Sequence, residues 1–230
     1  MEIRILEFVQ GAREAKGITV IIDVFRAFST ECYAFESGAA RIIAATTPEE
    51  AFRLKRKYSN SVLVGERNEK KIDGFDFGNS PTEIIKADLL GKTVIHTTTA
   101  GTNGLVNAFN ADIVLAAGFV NAGAVAEYIK TLNPIVVSLV AMGYRAEISA
   151  VEDILCAELI ASCLGKKPMP DADQISGLRH TSGKRFFNIE NLDFSPPTDF
   201  FLCTMVNKFD FALRATTRSD GNVDIMKVEA

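Results

Sequence analysis

The stretch Gly17-Ile18-Thr19-Val20-Ile21-Ile22-Asp23-Val24-Phe25-Arg26-Ala27-Phe28-Ser29-Thr30 decides the fold class. An apolar run of strand length, Ile18 to Ile22, ends on a carboxylate, and a helix-compatible run begins just beyond it. A strand apolar on both sides belongs in a sheet covered on both faces, and that is the α/β layered arrangement. The same unit recurs where Val62 to Val64 runs into Gly65-Glu66-Arg67, and where Thr93 to Thr97 runs into Thr98-Thr99-Ala100-Gly101. Further strands are readable at Ile3 to Leu6, Arg41 to Ala45, Ile113 to Ala116 and Ile135 to Val140.

Helix starts punctuate the spaces between them. Thr47-Pro48-Glu49-Glu50, Ser80-Pro81-Thr82-Glu83 and Ser149-Ala150-Val151-Glu152 each read as a capping box, and a further helix runs from about Val120 to Leu132. After Gly165 the run Lys166-Lys167-Pro168-Met169-Pro170 breaks the pattern, and a polar stretch extends through Arg185. Phe211 to Thr217 and Val223 to Val228 then read as an antiparallel hairpin about Asp220-Gly221-Asn222. The expected fold is a three-layer α/β/α single domain over residues 1–230, with a mixed, mostly parallel sheet. Its C-terminal portion, about 166–230, is expected to be loop-rich and closed by the hairpin.

Composition narrows the function classes. With 230 residues and 47% apolar side chains the chain builds its own core, which excludes intrinsic disorder. Lys and Arg total 25 against 29 Asp and Glu, a net charge of −4 with no basic face, so no nucleic-acid partner is expected. No apolar run reaches membrane-spanning length: Ala111 to Ala126 is interrupted by Asp112 and Asn121, so no membrane partner is expected either. Met1-Glu2-Ile3-Arg4 does not read as a secretory signal, and a cytoplasmic protein is expected. The four cysteines form no C-x-x-C pair and read as reduced core thiols, and only two histidines are present. A metal here is therefore expected to be hard and carboxylate-held, with Mg²⁺ the first choice. A homodimer is the commonest assembly for such a chain.

Several familiar signatures fail. Gly91-Lys92-Thr93 lacks the earlier glycine of a phosphate-binding loop and opens a strand instead of a helix. No cysteine has an arginine six residues on, which excludes a cysteine phosphatase. Asp171-Ala172-Asp173 follows a Pro-broken loop and reads as a solvated turn, and Arg179-His180 has no catalytic partner.

Three constellations survive, each at a strand end facing a helix start, where backbone amides and the helix dipole gather anions. In the first, Asp23 ends a buried strand, a costly place for a carboxylate without a cation, and Arg26, Ser29 and Thr30 offer donors to an oxyanion. In the second, Glu66, Arg67, Asp76 and Asn79 lie around glycines 74 and 78, which let backbone fold close to a ligand. In the third, Thr98, Thr99 and the amide of Gly101 supply neutral donors to a phosphate or sulfonate. Asp153, beside a Glu152 assigned to the capping box, has the better claim of that pair to metal chemistry.

These blocks together resemble the 2-phosphosulfolactate phosphatase (ComB-type) family. The matching segments are Asp23-Val24-Phe25-Arg26-Ala27 with Ser29-Thr30, Gly65-Glu66-Arg67, Gly74-Phe75-Asp76-Phe77-Gly78-Asn79-Ser80-Pro81, Thr97-Thr98-Thr99 with Gly101-Thr102, and Ser149 with Glu152-Asp153. The resemblance implies a Mg²⁺-dependent phosphomonoester hydrolase that converts 2-phosphosulfolactate to sulfolactate and phosphate, as in coenzyme M biosynthesis. On that reading Asp23, Arg26, Glu66 and Asp76 are catalytic, and Asp23, Glu66, Asp76 and Asp153 supply the metal ligands. Arg67, Ser29, Thr30, Asn79, Thr98, Thr99 and Gly101 hold a small, multiply anionic substrate. Three departures from the family pattern fall at Phe28, Asn68-Glu69 and Ala100, where polar or flexible positions are expected, and they point to a changed organic acid. Two alternatives stand beside this reading: a phosphatase for another phosphorylated 2-hydroxy acid, and a non-catalytic binder of an anionic metabolite.

Overall fold

Along β2 (Gly17–Ile22) the side chains alternate between two cores: Ile21 packs on one face, and Ile18, Val20 and Ile22 pack on the other. Because both faces are apolar, helices have to cover both. The computed structural model describes all 230 residues, and its other strands are β1 (Glu2–Glu7), β3 (Arg41–Ala44), β4 (Ser61–Arg67), β5 (Lys70–Lys71), β6 (Thr93–Thr97), β7 (Ala111–Ala117), β8 (Val136–Ala141), β9 (Phe211–Thr217) and β10 (Val223–Glu229). The α-helices are α1 (Phe8–Glu14), α2 (Ala27–Glu36), α3 (Pro48–Lys57), α4 (Pro81–Ile84), α5 (Gly101–Asn107), α6 (Ala122–Leu132), α7 (Val151–Cys163), α8 (Ala172–Gly177) and α9 (Pro197–Cys203). None is long and apolar enough to cross a membrane.

All ten strands join one sheet in the order β1-β8-β2-β7-β9-β10-β3-β6-β4-β5. Five of its nine pairings are parallel and four antiparallel, so the expected mixed, mostly parallel sheet is present. The hairpin β9–β10 does not lie at an edge. It sits in the middle, where β9 pairs with β7 and β10 with β3, and it joins two blocks that are parallel except for the short edge strand β5.

This placement shapes the site. Five strand spacings separate β2 from β6, which in a flat sheet is about 24 Å. Yet one core cluster holds Ile21 and Val140 from the first block together with Ile42, Val64 and Val94 from the second. That cluster bridges the two blocks through the helices packed on this face, burying Ala27, Phe28 and Cys32 of α2 and Leu105 of α5. Helices α6 and α7 cover the outer face of the first block, and α3 covers that of the second. The turns leaving strands of both blocks meet beside the bridging cluster, since Gly101 after β6 lies against Asp23 after β2.

Two of the expected capping boxes form their N-cap bond: Thr47 Oγ1 accepts from Glu50 N–H at 3.2 Å and Ser80 Oγ from Glu83 N–H at 3.4 Å. The third does not. Helix α7 begins at Val151 with Ala150 as its N-cap and no side-chain cap, so Ser149 and Glu152 do not reciprocate. Glu152 is instead buried, with Oε2 lacking any partner. The segment after Gly165 is a series of short helical turns from Ala172 to Asn191, followed by α9, and it lies over the open ends of the strands.

Candidate active site

Chain ends from β2, β4, β6 and β8 meet at a cavity of about 50 Å³, roughly the space of three or four water-sized groups. Its walls include Asp23, Arg26, Glu66, Asn79, Thr98 and Thr99, six of the residues singled out from sequence. Asp23 directly follows β2, its carboxyl buried against the start of α2, where Oδ1 accepts the Ala27 N–H at 3.2 Å. Burial, reinforced by the negative charge of Glu66, pushes the Asp23 carboxyl up to about 6, while the Ala27 and Gly101 amides and the Arg185 guanidinium pull the other way. Gly101 is required here because a Cβ on it would sit 2.8 Å from the Ala27 Cβ and 3.0 Å from Asp23 Oδ2.

Glu66, near the end of β4, holds two loops in place: Oε1 accepts the Thr99 N–H at 2.7 Å and Oε2 the Glu69 N–H at 2.8 Å. Thr98 and Thr102 exchange backbone-to-hydroxyl bonds at 3.1 Å, which shapes the turn between β6 and α5. Two polar atoms of the cavity residues have no partner at all, Asn79 Oδ1 and Thr99 Oγ1. Buried polar atoms are rarely left unpaired in a folded protein, so these are poised for something the cavity receives.

Other residues expected at the site stand elsewhere. Asp76 Oδ2 accepts the Leu63 N–H at 2.7 Å and meets the Lys55 ammonium at 3.3 Å, and its side chain is 43% exposed. It tethers a loop to β4 and does not reach the cavity. Arg67 turns away to its neighbour's carbonyl and to Thr97 Oγ1. Ser29 donates to the Val24 carbonyl and Thr30 is buried inside α2, so both hydroxyls belong to the core. Asp153 does not line the cavity: it is buried behind it, with Oδ1 accepting the Val24 N–H and Oδ2 the Gly143 N–H, each at 2.8 Å. It ties the turn after β2 to the turn after β8 and is a positioning residue. Burial and the neighbouring acids Glu152 and Asp23 raise its carboxyl well above the ordinary carboxylate range. Phe28, read above as a departure in a substrate loop, is fully buried in the core, whereas Asn68, Glu69 and Ala100 do line the cavity.

Arg26 lines the cavity but is already bound: one terminal nitrogen donates to Asp199 Oδ2 at 2.6 Å and to the Phe194 carbonyl at 2.7 Å. Asp199 is fully buried and also accepts from Ser80 Oγ at 2.8 Å and Thr82 N–H at 2.9 Å. This pair locks the C-terminal segment over the site. Arg26 is thus a fixed positive wall of the cavity and not a free clamp.

Four cavity residues escape sequence reasoning. Gly143, Tyr144 and Arg145 follow β8, the fourth strand end at the site, where the strand-then-turn rule that found the others would have found them too. Arg145 takes part in none of the salt bridges of the molecule. Arg185 comes from the polar stretch after Gly165 and has no local signature. Its guanidinium donates to the Phe25 carbonyl at 3.0 Å and to Glu69 Oε1 at 3.1 Å.

No three His, Cys, Asp or Glu side chains converge to hold a metal ion by themselves, so the expected quartet of acids is not assembled. What remains at the cavity is Asp23 with Glu66, and beside them the unpartnered Asn79 Oδ1. That set suits Mg²⁺, which is commonly held by one or two carboxylates and completed by water and substrate phosphate oxygens.

The sequence model of the 2-phosphosulpholactate phosphatase family matches residues 4–188. This chain belongs to that family. A Bacillus subtilis (strain 168) protein named "Probable 2-phosphosulfolactate phosphatase" is 34% identical over 210 residues, 90% of this chain and 89% of its own. Proteins of the same name from Thermotoga maritima and Caldicellulosiruptor saccharolyticus are 37% and 40% identical over 172 and 175 residues. These alignments cover 75% and 74% of this chain and 70% and 72% of the relatives. The family match includes every residue of the cavity but stops before Asp199 and the central hairpin.

Proposed function

We propose that this chain hydrolyses the phosphomonoester of a 2-hydroxy acid, the reaction named for its relatives being that of 2-phosphosulfolactate. The observation that carries the reading is one cavity that combines hard oxygen donors, Asp23 and Glu66, with Arg145, a cation without a carboxylate partner, and unsatisfied polar atoms on Asn79 and Thr99. A non-catalytic binder has no need for a buried carboxylate kept costly beside a second one.

Asp23 and Glu66 would hold Mg²⁺, which when bound offsets the negative charge of the phosphoryl oxygens and makes a bound water more acidic. The chain's own residues do the rest. Arg145 and the fixed Arg26 face the dianionic phosphate, and Thr99 Oγ1 offers a neutral hydroxyl donor. Glu66, by holding the Thr99 and Glu69 amides, keeps these walls at fixed separation. Water attacks phosphorus, the ester P–O bond breaks, and the leaving alkoxide takes up the proton, giving the free 2-hydroxy acid and phosphate. A cytoplasmic small-molecule enzyme is the setting this chemistry suits.

The test is release of inorganic phosphate from 2-phosphosulfolactate and 2-phospholactate, with Mg²⁺ and with EDTA. Metal-dependent release supports the reading. Tight binding of a sulfonate with no release from any phosphomonoester supports the binder instead. Borohydride trapping of a phosphorylated Asp23 would replace water attack with a covalent route.

A further inference from the structure

Glu69 stands at the mouth of the active-site cavity in a backbone conformation that side chains avoid. Its φ is +70° and that of Asn68 is +53°, two consecutive left-handed residues, neither of them glycine. Three contacts hold it there. Its amide donates to Glu66 Oε2 at 2.8 Å, its carbonyl accepts from Arg26 at 3.3 Å, and its carboxylate takes the Arg185 guanidinium at 3.1 Å. The Tyr144 hydroxyl is the carboxylate's second neighbour, and burial together with Glu69 raises that phenol above its ordinary range.

An arginine and a tyrosine hydroxyl, partly buried and facing a ligand cavity, form a site for a small acid group. In this chain that site is filled by the protein's own carboxylate. It also lies at a junction: Asn68, Glu69, Tyr144, Arg145 and Arg185 line both the small cavity and a neighbouring one of about 510 Å³, into which the organic part of a substrate would extend. Of the three arginines at the small cavity, Arg26 is held by Asp199 and Arg185 by Glu69, and only Arg145, stacked on the Tyr144 ring, has no carboxylate partner.

The geometry points to Glu69 as a specificity-determining residue that takes the place of one acid group of the substrate. The pocket then favours a phosphomonoester carrying one further acid group, such as a phosphorylated monocarboxylic 2-hydroxy acid. A substrate with both a carboxylate and a sulfonate must displace Glu69 from Arg185 or leave its second acid without a cation. This inference rests on the phosphatase reading above and names the substrate class within it.

The experiment compares kcat/KM for 2-phospholactate and 2-phosphosulfolactate in the wild type, Glu69→Gln and Glu69→Gly. Glutamine keeps the backbone contacts, and glycine removes the conformational strain. The wild type should favour 2-phospholactate, and both substitutions should move the ratio toward 2-phosphosulfolactate at least tenfold, chiefly through KM. A wild-type preference for 2-phosphosulfolactate, or a ratio within twofold of wild type in both variants, overturns the inference. Calorimetric binding of sulfolactate, which needs no turnover, separates this from failure of the phosphatase reading. It should tighten at least tenfold in Glu69→Gln while lactate binding changes little, and unchanged sulfolactate binding overturns the assignment whether or not any ester is hydrolysed.

Discussion

Replacing Asp23 with asparagine tests whether this carboxylate is held at a cost for the sake of chemistry. Moving an aspartate from its ordinary 3.8 to about 6 corresponds to about 3 kcal/mol, at about 1.4 kcal/mol per pH unit. The sign follows from the direction. The folded protein binds this proton more tightly than the unfolded chain, so the stabilisation is complete below about pH 4 and is lost as pH rises through 6. The substituted asparagine carries no charge to bury, and its amide oxygen still accepts the Ala27 N–H that Asp23 Oδ1 accepts now, while its NH₂ group faces the Gly101 N–H and costs about 1–3 kcal/mol at every pH. In urea unfolding without divalent metal, the stability of Asp23→Asn relative to the wild type should therefore rise by up to about 3 kcal/mol between pH 4 and pH 7.5. In a chain of this length that is a rise in Tm of about 6–12 °C. Added Mg²⁺ should stabilise the wild type and not the variant. Parallel stability curves from pH 4 to 7.5 would refute the claim that Asp23 is buried at a cost.

Four further outcomes follow from the geometry. Asp199→Ala strands the buried Arg26 guanidinium and should cost about 3–5 kcal/mol in unfolding free energy, whereas Asp76→Ala, which breaks an exposed pair with Lys55 and frees the Leu63 N–H, should cost about 1–2 kcal/mol. Arg185→Ala removes a positive charge from beside Asp23, so the Asp23 carboxyl should titrate at still higher pH, and the acidic limb of the kcat/KM profile should move alkaline. Asp153→Asn turns an amide NH₂ toward either the Val24 or the Gly143 N–H and leaves a donor unpaired, costing about 1–3 kcal/mol and lowering kcat more than it raises KM. Gly101→Ala drives a methyl group onto Ala27 and Asp23 Oδ2 and should abolish phosphate release while the far-UV circular dichroism stays native.

Much of the layering is legible because it depends on local period. The apolar run of β2 and the Thr47 and Ser80 caps are fixed by neighbours in sequence, and they stand where they were expected. The Ser149 box is not, because Glu152 is drawn into the interior beside Asp153 rather than back to its own helix start. The hairpin β9–β10 is recognisable as a hairpin, but its insertion between β7 and β3 is a long-range pairing that no local pattern encodes. The site divides in the same way. Asp23, Glu66, Thr98 and Thr99 sit at strand ends and Asn79 directly before a helix start, where the strand-end and helix-start signals find them. Asp76 shares their composition but is neutralised by Lys55, a residue on α3 that only the folded chain brings near. Arg185 and Asp199 arrive from a segment without periodicity, and their roles appear only once that segment lies over the strands.

The central claim is that Asp23 and Glu66, and not Asp76, form the working acids of a metal-dependent phosphatase. Phosphate release from 2-phospholactate and 2-phosphosulfolactate, measured with Mg²⁺ for wild type, Asp23→Asn and Asp76→Asn, tests it directly. The account predicts activity in the wild type, near-wild-type activity in Asp76→Asn and none in Asp23→Asn. An inactive Asp76→Asn beside an active Asp23→Asn would contradict it.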